Sequence, residues 1–264
     1  MWGWICGSSW GVPGVAVATL IAEWTGLGLG LWLCRDAFAG GARQDWRRVF
    51  DAARLREMGR VNGDIMVRSV ILQASFTTFI FLGAGQGDVT LAANQVLLQF
   101  LEITAYALDG FAFAAEALVG QAVGARLRAS VREAAVISSQ WGVAGAVALA
   151  AVFWFGGPAV IDTMARDPAV REAARLYLPW VALGPLIGVA SWMFDGIFIG
   201  ATLTREMRNA MVLSVAVYGA ALALLLPAYG NHGLWASLMV LNTARGLTMA
   251  VLYPRAEAKA GRDA

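Results

Sequence analysis

Long apolar segments separated by short polar ones run through the whole chain, and each apolar segment is long enough to cross a lipid bilayer. A transmembrane helix needs about 20 mostly apolar residues. The segments show no strand-like alternation of apolar and polar positions, so the pattern predicts helices rather than a barrel. The predicted spans are 11–34, 61–82, 89–124, 134–156, 176–202, 208–228 and 233–254. We therefore predict an all-α integral membrane protein with about seven transmembrane helices.

The third span carries four polar side chains at a constant spacing of seven residues: Gln95, Glu102, Asp109 and Glu116. A step of seven residues turns a helix by only about 20°, so all four lie on one face. A carboxylate near the bilayer centre costs about 2.5 to 3.5 kcal/mol. This face therefore needs a protein cavity, partner helices or water beside it.

Asp109 is the acid closest to the middle of the membrane, with aromatic neighbours on the same face at i−3 and i+4. Deep carboxyls in transporters serve as proton or cation relays, and aromatic rings can contact an organic cation. A second acid, in the fifth span close to its cytoplasmic third, suits either a coupling role or a cap or helix-pairing role. The predicted coupling residues are Asp109, Glu102 and Asp195, and the predicted cavity or substrate contacts are Gln95, Tyr106 and Phe113.

Intramembrane arginines offer a structural explanation for some of these acids. Arg68 and Glu116 lie at similar depths from the same end of their spans, which predicts a static ion pair. Arg245 on the last span can neutralise either Asp109 or Asp195. Arg68 can also pair within its own helix at i−4. The predicted structural charge pairs thus involve Arg68, Glu116, Asp64 and Arg245.

Composition and charge support a membrane protein and set its orientation. The chain is 59% hydrophobic and 14% charged, with a net charge of +2 that gives no reason to expect nucleic acid as a partner. Fifteen of the 20 basic residues fall on one side of a seven-span topology, which the positive-inside rule makes cytoplasmic. We therefore expect the amino terminus outside, the carboxyl terminus in the cytoplasm, and lipid as a partner.

Enzyme chemistry has little support. The sequence contains one histidine and neither a zinc-protease, a nucleophile-elbow nor a phosphate-loop motif. A membrane enzyme that uses carboxylates alone stays open. We predict a protein that is not an enzyme and has no cofactor, apart from H⁺ or Na⁺ as a coupling ion.

Several longer motifs resemble the DinF-like branch of the multidrug and toxic compound extrusion (MATE) transporters. These motifs are AANQ at 92–95, AYALDGFA at 105–112, AEALVG at 115–120, DGIFIGAT at 195–202 and TREMRNA at 204–210. The resemblance implies a secondary antiporter of a bacterial inner membrane that exports small organic, often cationic, compounds in exchange for H⁺ or Na⁺. Two alternatives stay open: a flippase for lipid-linked precursors, whose cavity would favour bases, and a non-transporting remnant or assembly subunit.

The resemblance also implies a domain organisation. Members of this family have twelve helices in two six-helix lobes, and this chain matches the sixth helix and the second lobe. The first lobe would then be a partner, in the same chain or in a separate one. The predicted parts are an outer segment with the first span at 1–34, a cytoplasmic amphipathic connector at 35–60, the six-helix lobe at 61–254 and a cytoplasmic tail at 255–264.

The chain departs from the family pattern at three places. Phe113 stands where this branch is expected to have a histidine, and Leu203 where it is expected to have an arginine. The sodium-binding acid of the family's seventh helix falls near Leu72 or Gln73, neither of which ionises. A proton or sodium relay that depends on those groups is therefore not expected here.

One weak repeat also appears: Gly124-Ala125-x-Leu127 recurs 76 residues later as Gly200-Ala201-x-Leu203. Each copy stands where a span leaves the membrane on the cytoplasmic side. The repeat predicts a duplicated three-helix unit, a device common in transporters.

Overall fold

The structure, a computed structural model of the chain, describes residues 11–35 and 50–261. The outer residues 1–10, residues 36–49 of the predicted connector and residues 262–264 of the tail lie outside the described residues. The described residues form helices joined by short turns, and no strand occurs among them. The predicted all-α fold class is therefore confirmed.

The chain separates into two compact units, Met1–Glu57 and Met58–Ala264. The described part of the first unit contains α1, Gly11–Leu33, a helix of 23 residues that corresponds to the first predicted span. Large apolar side chains along it, such as Ile21 and Trp24, are more than half exposed. A helix that is apolar all round suits a lipid environment.

Residues 50–261 form seven further helices, and six of them correspond to the remaining predicted spans. They are α2 Ala52–Ala84, α3 Asp88–Gly124, α4 Arg128–Met164, α5 Pro168–Gly200, α6 Thr204–Tyr229, α7 Asn231–Leu252 and the short α8 Pro254–Lys259. We call residues 58–261, the described part of the second unit, the bundle.

The helices extend beyond the predicted spans because hydropathy marks only the segment that suits lipid, while backbone hydrogen bonds continue into polar sequence. The clearest case is α2, which begins at Ala52. Residues 52–60 of the predicted connector therefore belong to the same helix as the second span.

Six of the long helices in the described ranges, α1 to α6, are long and apolar enough to cross a membrane. The last long helix, α7, falls below that criterion because it carries polar residues such as Asn231, Asn242 and Arg245. These three side chains are buried within the bundle rather than exposed on its surface. The low hydropathy of α7 thus reflects contacts with protein.

The bundle is organised around α5, which packs against α3, α4 and α7, while α6 packs mainly against α7. Two close approaches hold α3 against α5. A Cβ added at Gly196 would lie 2.1 Å from the carbonyl oxygen of Ala112, and one at Gly200 would lie 2.4 Å from that of Glu116. Only glycine fits at such distances, so these two residues let the backbones of α3 and α5 touch.

The two turns of the sequence repeat have the same backbone geometry. Arg126 and Thr202 both have positive φ angles, 60° and 52°. In each turn the following leucine N–H donates to a carbonyl five residues earlier, Leu127 to Ala122 at 3.0 Å and Leu203 to Phe198 at 2.8 Å. This left-handed ending with a 6→1 hydrogen bond closes α3 and α5 in the same way. The predicted duplication of a three-helix unit stays a prediction.

The end of the bundle at which α3 and α5 stop carries most of its basic residues, and we call it the basic end. The short helix α8 lies there, with Ala256 and Ala260 buried. Glu257 of α8 pairs with Arg128 of α4 at 3.5 Å. The described part of the tail therefore packs on the bundle.

At the opposite end, a buried amide pair joins α3 to α7. Asn94 donates to the Oδ1 of Asn231 at 2.8 Å and accepts from its Nδ2 at 3.0 Å. The indole N–H of Trp235 donates to the same Asn94 oxygen at 2.9 Å. This network satisfies every polar atom that it removes from solvent on Asn94, so it fixes the register of the two helices.

Candidate functional site

A cavity of about 480 Å³ opens between α2, α3, α5 and α7, with charged side chains from all four helices. Leu98, Leu101 and Ile80 are among the apolar residues of its wall. The charged lining residues are four acids and two bases, namely Glu102, Asp109, Glu116, Asp195, Arg68 and Arg245. The structure therefore brings all three predicted coupling acids to one place.

The glycine contacts between α3 and α5 explain why acids from both helices meet in the cavity. Gly196 lies against Ala112, three residues from Asp109 on α3. Asp195 is the residue before Gly196, so the same contact brings its carboxyl to the cavity near Asp109. The two carboxyls are close enough for their charges to interact, and Arg68 lies within the same range of Asp109.

Asp195 binds both arginines of the cavity through a single oxygen. Arg245 Nη2 donates to Asp195 Oδ2 at 2.7 Å, and Arg68 Nη2 donates to the same atom. Asp195 is 8% exposed and Arg245 6% exposed. The second carboxylate oxygen, Oδ1, is buried without a hydrogen-bond partner in the described part of the chain. This triad carries one net positive charge and leaves one acceptor free.

The acids of α3 stand apart from this triad. Glu102, Asp109 and Glu116 all line the cavity, and among the described residues none of them forms an ion pair. They extend over about 21 Å along the helix axis, and Asp109 is half-buried at the centre. The wall formed by α3 is therefore acidic, whereas the triad on the other helices keeps one net positive charge.

The predicted cavity contacts are only partly brought together. Phe113 lines the cavity, but Gln95 and Tyr106 do not. Tyr106 is 76% exposed, since a side chain at i−3 from Asp109 lies to one side of the helix face that the cavity uses. Gln95 is exposed beyond the end of the cavity. Their assignment as cavity or substrate contacts stays a prediction.

Two of the predicted ion pairs, Arg68 with Glu116 and Asp64 with Arg68, were wrong. Arg68 pairs with Asp195, not with Glu116. Asp64 does not pair with Arg68 within α2 but with Arg208 of α6, whose Nη1 lies 2.5 Å from Asp64 Oδ1. Similar depth in the membrane did not decide the partner, because the direction in which each helix face points depends on packing. Arg245 pairs with Asp195, which is one of the two acids that the sequence offered as its partner.

Sequence reasoning missed two polar features of the cavity. It did not anticipate that two bases would line it together with the acids. It also overlooked Asn242, a buried residue one helical turn before Arg245 on the same face of α7. Their spacing of three residues could have indicated a shared polar face.

Two residues at which the chain departs from the family pattern, Leu72 and Gln73, also line the cavity. A third, Leu203, instead lies at the turn before α6, at the basic end. Within the described ranges, no three histidine, cysteine or carboxylate side chains gather as metal ligands.

Comparison with known proteins relates the chain to one family. A family model described as MatE matches residues 65–225. The chain is 38% identical over 261 residues to the DNA damage-inducible protein F of Escherichia coli K12, and the alignment covers 95% of this chain and 55% of that protein. It is 29% identical over 180 residues to the probable multidrug resistance protein NorM of Pseudomonas aeruginosa, covering 62% of this chain and 36% of the relative. The chain thus spans about half the length of the curated relatives it matches, or less.

Solved structures show the same fold. The crystal structure of the MATE transporter VcmN of Vibrio cholerae in its bent form superposes with a TM-score of 0.80 at 20% identity, covering 95% of this chain and 57% of that one. A MOP superfamily transporter from Pyrococcus furiosus gives a TM-score of 0.68 at 18% identity, covering 75% of this chain and 44% of the other. At these identities the superpositions establish the fold alone.

Proposed function

Since the chain belongs to the MatE family, we propose that it supplies one lobe of a secondary antiporter that exports organic, often cationic, compounds in exchange for H⁺ or Na⁺. The observation that carries the proposal is the acidic wall of the cavity. Three carboxyls of one membrane-length helix line it, with no ion pair to any described residue. Intramembrane acids are rare and mark ion or substrate pathways. Relatives named as a multidrug resistance protein and a MATE transporter support this direction.

Asp109 is the proposed coupling residue. Asp195 already binds two arginines, so its charge is largely compensated. Asp109 has no such partner among the described residues, and it lies near the middle of α3 beside the triad. A proton or cation that binds Asp109 would neutralise the deepest free charge of the cavity, and a cationic substrate would compete for it. Glu102 continues the acidic wall toward the start of α3, and Asp195 acts on Asp109 through their repulsion.

The other half of the antiporter is proposed to come from a lobe in front of this sequence or from a separate chain. We also propose that the basic end faces the cytoplasm, with the amino terminus outside and the protein in a bacterial inner membrane. The positive-inside rule supports this orientation. A test of transport therefore has to provide the other half.

A chimera provides that test. This chain replaces the aligned part of the E. coli relative, and the purified chimera is placed in liposomes with the fluorescent organic cation ethidium. An imposed proton or sodium gradient should drive ethidium export, and the gradient that does so identifies the coupling ion. Asp109→Asn should abolish gradient-driven export while the protein elutes and melts like the parent.

Asp162→Asn is the matched control, because Asp162 forms an exposed ion pair on α4 outside the cavity. That variant should export at the parental rate. Export by Asp109→Asn at the parental rate would refute the coupling role of Asp109. A correctly folded chimera that exports nothing would favour a non-transporting remnant or assembly subunit.

A flippase for lipid-linked precursors is the second candidate, and one observation favours it. Arg68 and Arg245 line the cavity, and paired guanidinium groups suit phosphate. Both are already bound to Asp195, however, so an anionic ligand would have to displace an internal carboxylate. Translocation of a fluorescent phospholipid-linked sugar by the chimera, without ethidium export, would support this candidate over the antiporter.

A further inference from the structure

A second concave site lies on the side of α5 that faces away from the charged cavity. It is an open groove of about 580 Å³ between α4, α5 and the residue after α7. Phe194 and Ile197 of α5 line the groove, whereas Asp195 and Gly196 line the cavity. The two sites therefore use opposite faces of the same helix, and the groove has no part in the proposed transport site.

The groove has a charged side chain near the basic end and is mostly apolar further along, apart from Ser139 and Gln140 of α4. Arg132 of α4 and Tyr253 stand at the basic end, and Val136 and Val143 continue the same face of α4. Arg132 and Val143 are eleven residues apart, or about 16 Å along the helix axis. That distance is about half of the roughly 30 Å hydrocarbon layer, which is the depth of one leaflet.

The charges at the basic end of the groove favour an anion. Arg132 is exposed, and within the described residues it forms no ion pair. Glu257, the one acid of α8, is already paired with Arg128 at 3.5 Å.

We propose that this groove binds an anionic phospholipid of the leaflet at the basic end. Arg132 holds the headgroup phosphate, and one acyl chain lies against Val136, Val143 and Phe194. Three observations support this occupant. Arg132 has no acid partner in the described structure, the groove is mostly apolar over the depth of one leaflet, and it opens on the outer face of the bundle. Basic sites between transmembrane helices at the cytoplasmic surface recognise anionic headgroups in this way.

Native mass spectrometry of the full 264-residue chain in detergent tests the proposal. Phosphatidylglycerol and phosphatidylcholine with identical acyl chains are titrated separately, so that the two lipids differ only in headgroup charge. The parent should bind phosphatidylglycerol more tightly. Arg132→Gln should weaken phosphatidylglycerol binding about fivefold, the factor that corresponds to one basic residue near an anionic surface, and leave phosphatidylcholine binding unchanged.

Three further variants separate binding in the groove from general effects. Val143→Trp fills the apolar half and should weaken both lipids, whereas Val152→Trp, at an exposed valine of α4 outside the groove, should weaken neither. Arg60→Gln, at an exposed arginine of α2, controls for loss of one positive charge. Equal binding of the two lipids by the parent, or equal losses in Arg132→Gln and Arg60→Gln, would overturn the proposal. The tryptophan pair still decides the position of the site if Arg132→Gln does not fold.

Discussion

Replacing Asp195 by asparagine should destabilise the bundle by about 3 to 5 kcal/mol, the cost of removing one partner from a buried ion pair. Asparagine has almost the shape of aspartate, so packing around α5 is kept and the change reports on charge. Arg68 and Arg245 both stay charged, because a guanidinium does not lose its proton in proteins. They would then face each other beside a neutral amide.

The magnitude follows from burial. Arg245 is only 6% exposed, so water cannot replace the lost carboxylate. By contrast, Asp162 and Arg175 form an ion pair at 2.6 Å with side chains 38% and 50% exposed. Exposed pairs contribute about 0.2 to 1 kcal/mol. The same chemical change, Asp162→Asn, should therefore cost several-fold less than Asp195→Asn.

Denaturant unfolding in detergent micelles, followed by tryptophan fluorescence, measures both free energies of unfolding. A second variant that combines Asp195→Asn with Arg68→Gln should recover part of the loss, because it removes one of the two uncompensated charges. The reasoning is refuted if Asp195→Asn costs no more than Asp162→Asn. It is also refuted if the added Arg68→Gln lowers stability further.

Two other substitutions test the packing that brings the site together. Gly196→Ala should destabilise the bundle by about 1 to 3 kcal/mol, since its Cβ would lie 2.1 Å from the Ala112 carbonyl oxygen. The control is Gly110→Ala on α3, where an added Cβ meets open space. That variant should be as stable as the parent, or more stable, in the same unfolding assay. Asn94→Ala should cost about 1 to 3 kcal/mol, because it leaves the buried donors of Asn231 and Trp235 without their acceptor. A thermal midpoint equal to that of the parent would contradict the second expectation.

Features set by local geometry were predictable from the sequence. The spacing of Glu102, Asp109 and Glu116 placed them on one face because every α-helix turns by the same angle per residue. All three line the cavity. The repeated Gly-Ala-x-Leu turns followed the same logic, since left-handed residues with matching hydrogen bonds close both helices. In such cases the information lies within a single helix or a single turn of the chain.

Partners across helices were not predictable in the same way. Depth in the membrane follows from counting residues, and it made Arg68 and Glu116 look like a pair. The direction of each side chain around its helix axis depends instead on which faces touch. In this bundle, Gly196 and Gly200 let α5 press against α3, which brings Asp195 to the cavity and in reach of both arginines. The sequence does not show which helix supplies the other surface of this contact.

The two arginines of the cavity distinguish the two candidate coupling acids. From the sequence, Asp109 and Asp195 were both coupling candidates with similar chemistry, and Asp109 was placed nearer the middle of the membrane. In the structure, Asp195 has two guanidinium partners on one oxygen and none on the other, whereas Asp109 has no ionic partner among the described residues. Under the proposed function, a proton or cation bound at Asp109 would remove the repulsion between Asp109 and Asp195. Charge at the acidic wall would thereby act on the ion pairs that join α5 to α2 and α7, and a coupling of this kind between ion binding and helix contacts is what the proposed antiport requires.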